Sequence, residues 1–302
     1  MTHKNIDYKK YLDTSIISKI KNLELRARMV VEGFMIGLHK SPYHGFSVEF
    51  TEHRQYMQGD SLKDIDWKVY AKRERFYVKQ YEEETNLISH VIVDISNSMD
   101  YKHSSSVTKL EYAITLAAAL VYIMINQQDA SGLVLFSDKI QSYLPPKSNQ
   151  IYLKTLLAQL SQIKAKGLTN TGVCLREISE KIKKRGLVII ISDLFDDPSK
   201  IIPALKYFRY KKNEVIVLQL LDPMEINFAF EKDSIFVDKE TGLEINTQPR
   251  QIQKAYQTTI NNYLHNIKSE CLNHGIEYNL IDTSEPFDKA LMSYFFKRKK
   301  LY

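Results

Sequence analysis

From Leu87 onward the sequence alternates short apolar runs with longer amphipathic ones, and few folds accommodate that rhythm. The spacing predicts strand 88–94, helix 108–127, strand 132–136, helices near 149–163 and 171–184, strand 187–192, helix 199–211 and strand 214–221. Runs such as Leu187-Val188-Ile189-Ile190-Ile191 are apolar at every position, as strands are when helices cover a parallel sheet on both faces. The expectation is an α/β fold, doubly wound, with a mainly parallel sheet. The segment Ile140 to Leu144, ahead of Pro145-Pro146, reads as a short antiparallel edge strand, because proline limits further pairing. After Asp222-Pro223, the runs Ser234 to Asp238 and Leu243 to Thr247 flank Lys239-Glu240-Thr241-Gly242. That pattern predicts a hairpin inserted near 226–248. A long amphipathic helix over 249–274, strand 276–281 and helix 286–299 follow.

Upstream, apolar residues from Thr14 to Leu38 recur at helical spacing, and Asp13, Thr14 and Ser15 supply caps. Lys40-Ser41-Pro42-Tyr43-His44-Gly45 breaks that helix. Two β-like runs follow, Phe46 to Tyr56 and Phe76 to Tyr81, with Gly59-Asp60 and Asp64-Ile65-Asp66-Trp67 between them. These features predict a small α+β unit over residues 1–86, packed on the helix, ahead of an α/β domain over 87–302. Tyr81-Glu82-Glu83-Glu84-Thr85 marks the boundary as a solvated acidic face. Trp67, the single tryptophan, reads as the anchor of the small unit, with Asp66 accepting a nearby N–H or pairing with an Arg.

The 302 residues give ample length for a buried core, and 44% hydrophobic with 26% charged residues is ordinary for a soluble globular protein. No run approaches the ~20 apolar residues needed to span a bilayer, and Met1-Thr2-His3-Lys4-Asn5 lacks the apolar core of a secretion signal. A cytoplasmic protein with no transmembrane segment is expected. Cys174 and Cys271 lie far apart within helical patterns and read as reduced core residues. The net charge of +6 comes from 42 basic residues interleaved with 36 acidic ones. The main basic clusters close helical patterns, where they complement the helix dipole, so no nucleic acid partner is expected.

Chemistry concentrates where strands end. His90-Val91-Ile92-Val93 runs into Asp94-Ile95-Ser96-Asn97-Ser98, and strand 187–192 runs into Asp193. Ligands of open α/β sheets bind outside the carboxyl ends of strands, where the strand order reverses. Between these strands, Gly167-Leu168-Thr169-Asn170-Thr171-Gly172 opens a helix with a hydroxyl-rich loop. Should strands 88–94 and 187–192 be neighbours, Asp94, Ser96, Ser98, Thr169 and Asp193 converge as an oxygen-only set. Such a set suits a hard cation, Mg²⁺ or alternatively Mn²⁺, and leaves a coordination position for an outside ligand. Either Thr169 or Thr171 is the threonine that approaches the metal.

The three loops resemble the metal-ion-dependent adhesion site of von Willebrand factor A domains, whose Asp-x-Ser-x-Ser falls on Asp94, Ser96 and Ser98, second-loop Thr on Thr169 and third-loop Asp on Asp193. The resemblance extends upstream through Gly45, Glu49-Phe50, Arg54-Gln55-Tyr56, Gly59-Asp60, Ile65-Asp66-Trp67, Val78-Lys79 and Glu84-Thr85-Asn86. With the Asp-Pro and Glu-Thr-Gly elements further on, the chain is similar to the bacterial family called domain of unknown function 58. That resemblance implies a von Willebrand A, Rossmann-like sheet, and a partner of MoxR-type AAA+ ATPases acting in protein maturation, complex assembly or metal insertion.

Two functions follow as expectations. The first is a non-enzymatic adaptor, in which the cation is completed by a Glu or Asp from a partner protein. The alternative is a metal-dependent phosphatase or nuclease of α/β type, which wants more carboxylates than these loops carry. Asp196 and Asp197 would have to compensate, but at the start of helix 199–211 they read as caps. No Gly-x-Ser-x-Gly elbow and no Gly-Lys-Ser/Thr phosphate loop occur.

Overall fold

The structure, a computed structural model, describes residues 12–40, 53–55, 77–79 and 87–301. The chain separates into two compact units, Met1–Gly37 with Leu87–Tyr302, and Leu38–Asn86. In the smaller unit β1 (His53–Gln55) and β2 (Tyr77–Lys79) pair antiparallel, Arg54 opposite Val78. Trp67, Asp66 and the acidic run 81–85 lie outside the described residues.

The N-terminal helix, expected in the small unit, falls with the α/β unit instead. Ala27, Val30 and Phe34 are buried, and the Phe34 ring lies 5.1 Å from that of Phe295. Nor is it continuous. It is a short turn, Thr14–Ile17, and a longer helix, Leu23–Lys40. The Arg26 guanidinium donates to the Ile20 carbonyl at 2.7 Å, which holds the linking carbonyls out of helical pairing. Asn22 Oδ1 then accepts from Leu25 N at 3.0 Å and restarts the helix as its cap.

The main sheet contains β3 (Ile88–Asp94), β4 (Ala130–Phe136), β5 (Ile140–Lys147), β6 (Leu187–Ser192), β7 (Glu214–Leu221) and β10 (Glu277–Asp282). Its order is β10-β7-β6-β3-β4-β5, all parallel except the antiparallel edge strand β5. It is the expected α/β architecture. A second pair, β8 (Ser234–Val237) and β9 (Glu244–Thr247), forms the inserted hairpin. The edge strand runs through Pro145 and Pro146, three residues past the expected end. A bulge between the Leu133–Leu144 and Ser131–Lys147 pairs accommodates them on an edge where no further strand needs the N–H groups that proline lacks.

One face of the sheet packs Ile92, Val134, Val188, Ile190 and Val217 against Leu175, Ile178, Leu205, Phe208 and Ile267 of the helices Thr171–Lys181, Pro198–Tyr210 and Pro249–Asn273. Each such side chain contributes about 1.5–3 kcal/mol when fully buried. The helix Lys109–Asn126 lies outside that cluster and covers the other face. It begins at a capping box, in which Thr108 Oγ1 accepts from Glu111 N at 3.1 Å and Glu111 Oε2 accepts from Thr108 N at 2.9 Å. By length and composition this helix is apolar enough to cross a bilayer, and 78% of it is buried within the fold.

β3 sends its chain to β4 on one side, whereas β6 returns on the other, so the strand order reverses between β3 and β6. That reversal puts Asp94 and Asp193, at the carboxyl ends of β3 and β6, where ligands of open α/β sheets bind.

Candidate metal centre at the carboxyl edge of the sheet

Asp94 closes β3 and is completely buried. Its Oδ1 accepts from Ser96 N at 3.0 Å and Ser96 Oγ at 2.7 Å, and its Oδ2 accepts from Ser192 Oγ at 2.6 Å. A row of hydroxyls leads outward: Ser96 Oγ lies 3.0 Å from Ser98 Oγ, which lies 3.3 Å from Thr169 Oγ1. Ser96 is buried, whereas Ser98 and Thr169 are half-buried.

Backbone bonds clamp the second loop onto the first. Asn97 N donates to Gly167 O at 3.0 Å, and Lys166 N to Ile95 O at 2.8 Å. Gly167 has φ +87, and a Cβ there would lie 2.8 Å from both Asp138 Oδ1 and Ser137 Oγ, so any side chain would strain this turn. Of the two candidate threonines, Thr169 carries the hydroxyl that meets Ser98. Thr171 is fully buried, with Oγ1 lacking a hydrogen-bond partner.

Asp193 sits one residue beyond β6, and its hydrogen-bond partners lie outside the hydroxyl row. Oδ1 accepts from Phe195 N at 3.2 Å and Oδ2 from Lys109 Nζ at 2.7 Å. Lys109 also donates to Glu225 Oε1 at 2.7 Å. The next residue, Leu194, is buried at φ 55, a left-handed conformation uncommon for leucine. It is fixed by Ser192 Oγ, which accepts from Leu194 N at 2.9 Å, and by the Tyr263 hydroxyl, which donates to its carbonyl.

The electrostatics leave a deficit of positive charge. Asp193 and Glu225 share the single ammonium of Lys109, and Asp94 has only hydroxyl and amide donors. Burial first, and the charge of Asp193 second, push the Asp94 carboxyl up to about 7. A carboxylate so placed wants a proton or a cation. The oxygens beside it are neutral hydroxyls, 3.0 and 3.3 Å from one to the next, and among the described residues no three His, Cys, Asp or Glu side chains group as metal ligands. The donor set fits Mg²⁺ or Mn²⁺ and not a zinc site.

Three features escape a reading of the sequence. Lys109 is one, though a lysine on the first turn of an apolar helix opposes the dipole and so signals a buried partner. Glu225 is another; as third residue of the helix Pro223–Asn227 it makes a capping box with Asp222 while reaching Lys109. Third, Glu240, at the hairpin tip, accepts from Thr169 N at 2.8 Å through Oε2 and from the Thr169 hydroxyl through Oε1.

The residues weighed for catalysis have structural partners. Asp196 Oδ2 accepts from Gly172 N at 3.1 Å, and Asp197 caps the helix Pro198–Tyr210 through Ser199 N at 2.9 Å. Burial pushes the Cys174 and Cys271 thiols up to about 12, as expected of packing residues.

Curated relatives include the uncharacterized protein Rv1480 of Mycobacterium tuberculosis, 24% identical over 234 residues that cover 76% of this chain and 73% of the relative. Similar solved structures include conserved hypothetical protein BatB from Bacteroides thetaiotaomicron, at TM-score 0.49 and 22% identity over 71% of this chain and 99% of that one. Another is the SpRpn10 VWA domain, at TM-score 0.41 and 10% identity over 68% of this chain and 94% of that one. Residues 52–265 match the family described as Protein of unknown function DUF58, and the chain belongs to that family.

Proposed function

We propose that this protein is a metal-dependent adaptor that recognises a carboxylate of a partner protein. The observation that carries the reading is the row of Ser96, Ser98 and Thr169 hydroxyls beside a buried Asp94 that has no cationic partner among the described residues. Asp94, Ser96, Ser98, Thr169 and Asp193 are the residues that would hold Mg²⁺, or Mn²⁺, directly or through water. The bound cation would supply a concentrated positive charge with room for one outside ligand. Lys109 shares its charge between Asp193 and Glu225 and so offsets part of the charge on Asp193. The set therefore brings no more than two carboxylates, one of them partly balanced, to a divalent ion and leaves it electrophilic toward a Glu or Asp. Asp94 and Ser96 would anchor the ion from within, while Ser98 and Thr169 face the side from which a partner approaches.

The similarity to von Willebrand A adhesion sites, and the association of the wider family with MoxR-type AAA+ ATPases, suggest the setting: an ATPase-driven, chaperone-like step of protein maturation or complex assembly. The phosphatase or nuclease alternative is weakened by Asp196 and Asp197, which are committed to Gly172 N and to a helix cap.

Calorimetric titration of Mg²⁺ and Mn²⁺ into wild type and Ser98→Ala tests the metal. Capture of a purified MoxR-type ATPase with Mg²⁺ or with EDTA tests the partner. Binding by wild type alone, dependent on the cation, is the expected result; equal capture under all conditions would overturn the reading.

A further inference from the structure

We propose that the β8–β9 hairpin carries a built-in ligand for this site: Glu240 takes the place of a partner's carboxylate and competes with it. The inference rests on the cation reading above and identifies what the site meets when no partner is bound. Both oxygens of Glu240 engage Thr169, one on its N–H and the other on its hydroxyl, and that hydroxyl is the outermost of the row that starts at Asp94. The carboxylate thus stands on the accessible side of the donors.

The tip is shaped to present it. Asp238 Oδ1 accepts from Glu240 N at 2.8 Å, Asp238 Oδ2 accepts from Thr241 Oγ1 at 2.6 Å, and Gly242 N donates to Asp238 O at 2.9 Å. A second contact holds the tip to the first loop, where Lys239 Nζ lies 3.9 Å from Asp100 Oδ2. Along β8, one pair short of the turn, the hairpin is fixed by rings: Phe236 stacks on Phe228 at 5.3 Å and meets Phe230 edge-on at 4.9 Å. The other shaft side chains contribute little to this placement, since Ile235, Val237, Leu243 and Ile245 are exposed. One aromatic anchor and a tip held by a few polar contacts are what a displaceable strap requires.

Charge argues in the same direction. Glu240 brings a second carboxylate to the hydroxyl row that Asp94 begins and has no basic side chain in contact among the described residues; its neighbour Lys239 turns to Asp100 instead. Like charges brought together raise the free energy, and a divalent cation reverses the sign of that interaction.

The test uses the full chain with Mn²⁺ as probe, in wild type, Glu240→Gln, Glu240→Ala and Lys239→Ala. Affinity is read by calorimetry, and the number of exchangeable waters on the ion by water-proton relaxation. Loss of the Glu240 carboxylate should weaken Mn²⁺ by about tenfold or more, the scale seen when groups supporting a metal site are removed. It should also add a water to the ion. Excess acetate, a small carboxylate, should displace that water in Glu240→Gln and not in wild type. Equal affinity and hydration in wild type and both Glu240 variants would overturn the inference and leave the cation reading standing. So would a loss in Lys239→Ala as large as in Glu240→Gln, which would make the hairpin's position the cause. Absence of Mn²⁺ binding in every protein would overturn both readings.

Discussion

Lys109 Nζ donates to Asp193 Oδ2 across 2.7 Å with both side chains closed to solvent, and the same ammonium reaches Glu225 Oε1 at 2.7 Å. Burial alone would pull the Lys109 ammonium below its ordinary range, but Asp193 and Glu225 outweigh it and hold the group above that range. Removing one partner of a buried ion pair leaves an uncompensated charge and costs about 3–5 kcal/mol. Lys109→Met should therefore lower the unfolding free energy by about that amount in denaturant melts, and adding Asp193→Asn should recover part of it. A loss below about 1 kcal/mol, the scale of an exposed pair, would show that water relieves these charges.

Asp94→Asn separates a metal role from a structural one. The amide is close in shape to the carboxylate and removes a charge that burial and Asp193 both oppose. Without metal, the variant should be at least as stable as wild type. With Mg²⁺ at a hundred times its dissociation constant, wild type should gain about 2.7 kcal/mol and the variant nothing. Thermal melts with Mg²⁺ and with EDTA give the comparison; an equal gain in both proteins would remove Asp94 from the metal site.

What the sequence makes legible is local. Unbroken apolar runs such as Leu187 to Ile191 announce buried parallel strands, and the carboxylates that end them fall at the sheet's carboxyl edge because strand ends are fixed once the strands are. The hairpin is equally plain from its turn residues. The break between Ile17 and Leu23 is not, because it depends on where the Arg26 guanidinium turns, to the carbonyls of Ser18 and Ile20. Glu240 meets Thr169 across 71 positions, and the Lys109–Asp193 pair spans 84. No periodicity reports such contacts. The hydroxyl that completes the row is an intermediate case. The loop offers Thr169 and Thr171 on equal terms, and only the start of the helix Thr171–Lys181 buries one and leaves the other facing Ser98.

Gly172 tests how the second loop is held. It begins the helix that follows Thr169, and a Cβ there would lie 2.5 Å from Lys200 Cβ and 2.8 Å from the Lys200 carbonyl carbon. The backbone of the facing helix would have to move, and overpacking of this kind costs about 1–3 kcal/mol. Gly172→Ala should lose that much stability. It should also weaken Mg²⁺ binding in calorimetry, because the Gly172 N bond to Asp196 ties the second loop to the third. Unchanged metal affinity at reduced stability would mean that Thr169 is positioned independently of this helix.

His90 gives the fold an acid-side weakness distinct from the metal site. The side chain is buried on β3 with Nδ1 lacking a hydrogen-bond partner, its ring 6.5 Å from that of Tyr143. Burial pulls its pKa from 6.5 down to about 4. The sign follows from which state takes the proton. Below pH 6.5 the unfolded chain binds a proton that the folded chain refuses, so stability present above 6.5 falls as the pH drops, until the folded form also titrates near 4. At about 1.36 kcal/mol per unit, the full loss is about 3 kcal/mol. His90→Leu removes the titrating group while keeping an apolar side chain on the strand. Denaturant melts from pH 8 to pH 4 should show the two proteins changing in parallel above pH 7 and diverging below it, with wild type losing more. Parallel behaviour down to pH 4 would mean that the imidazole finds a partner or water when it charges.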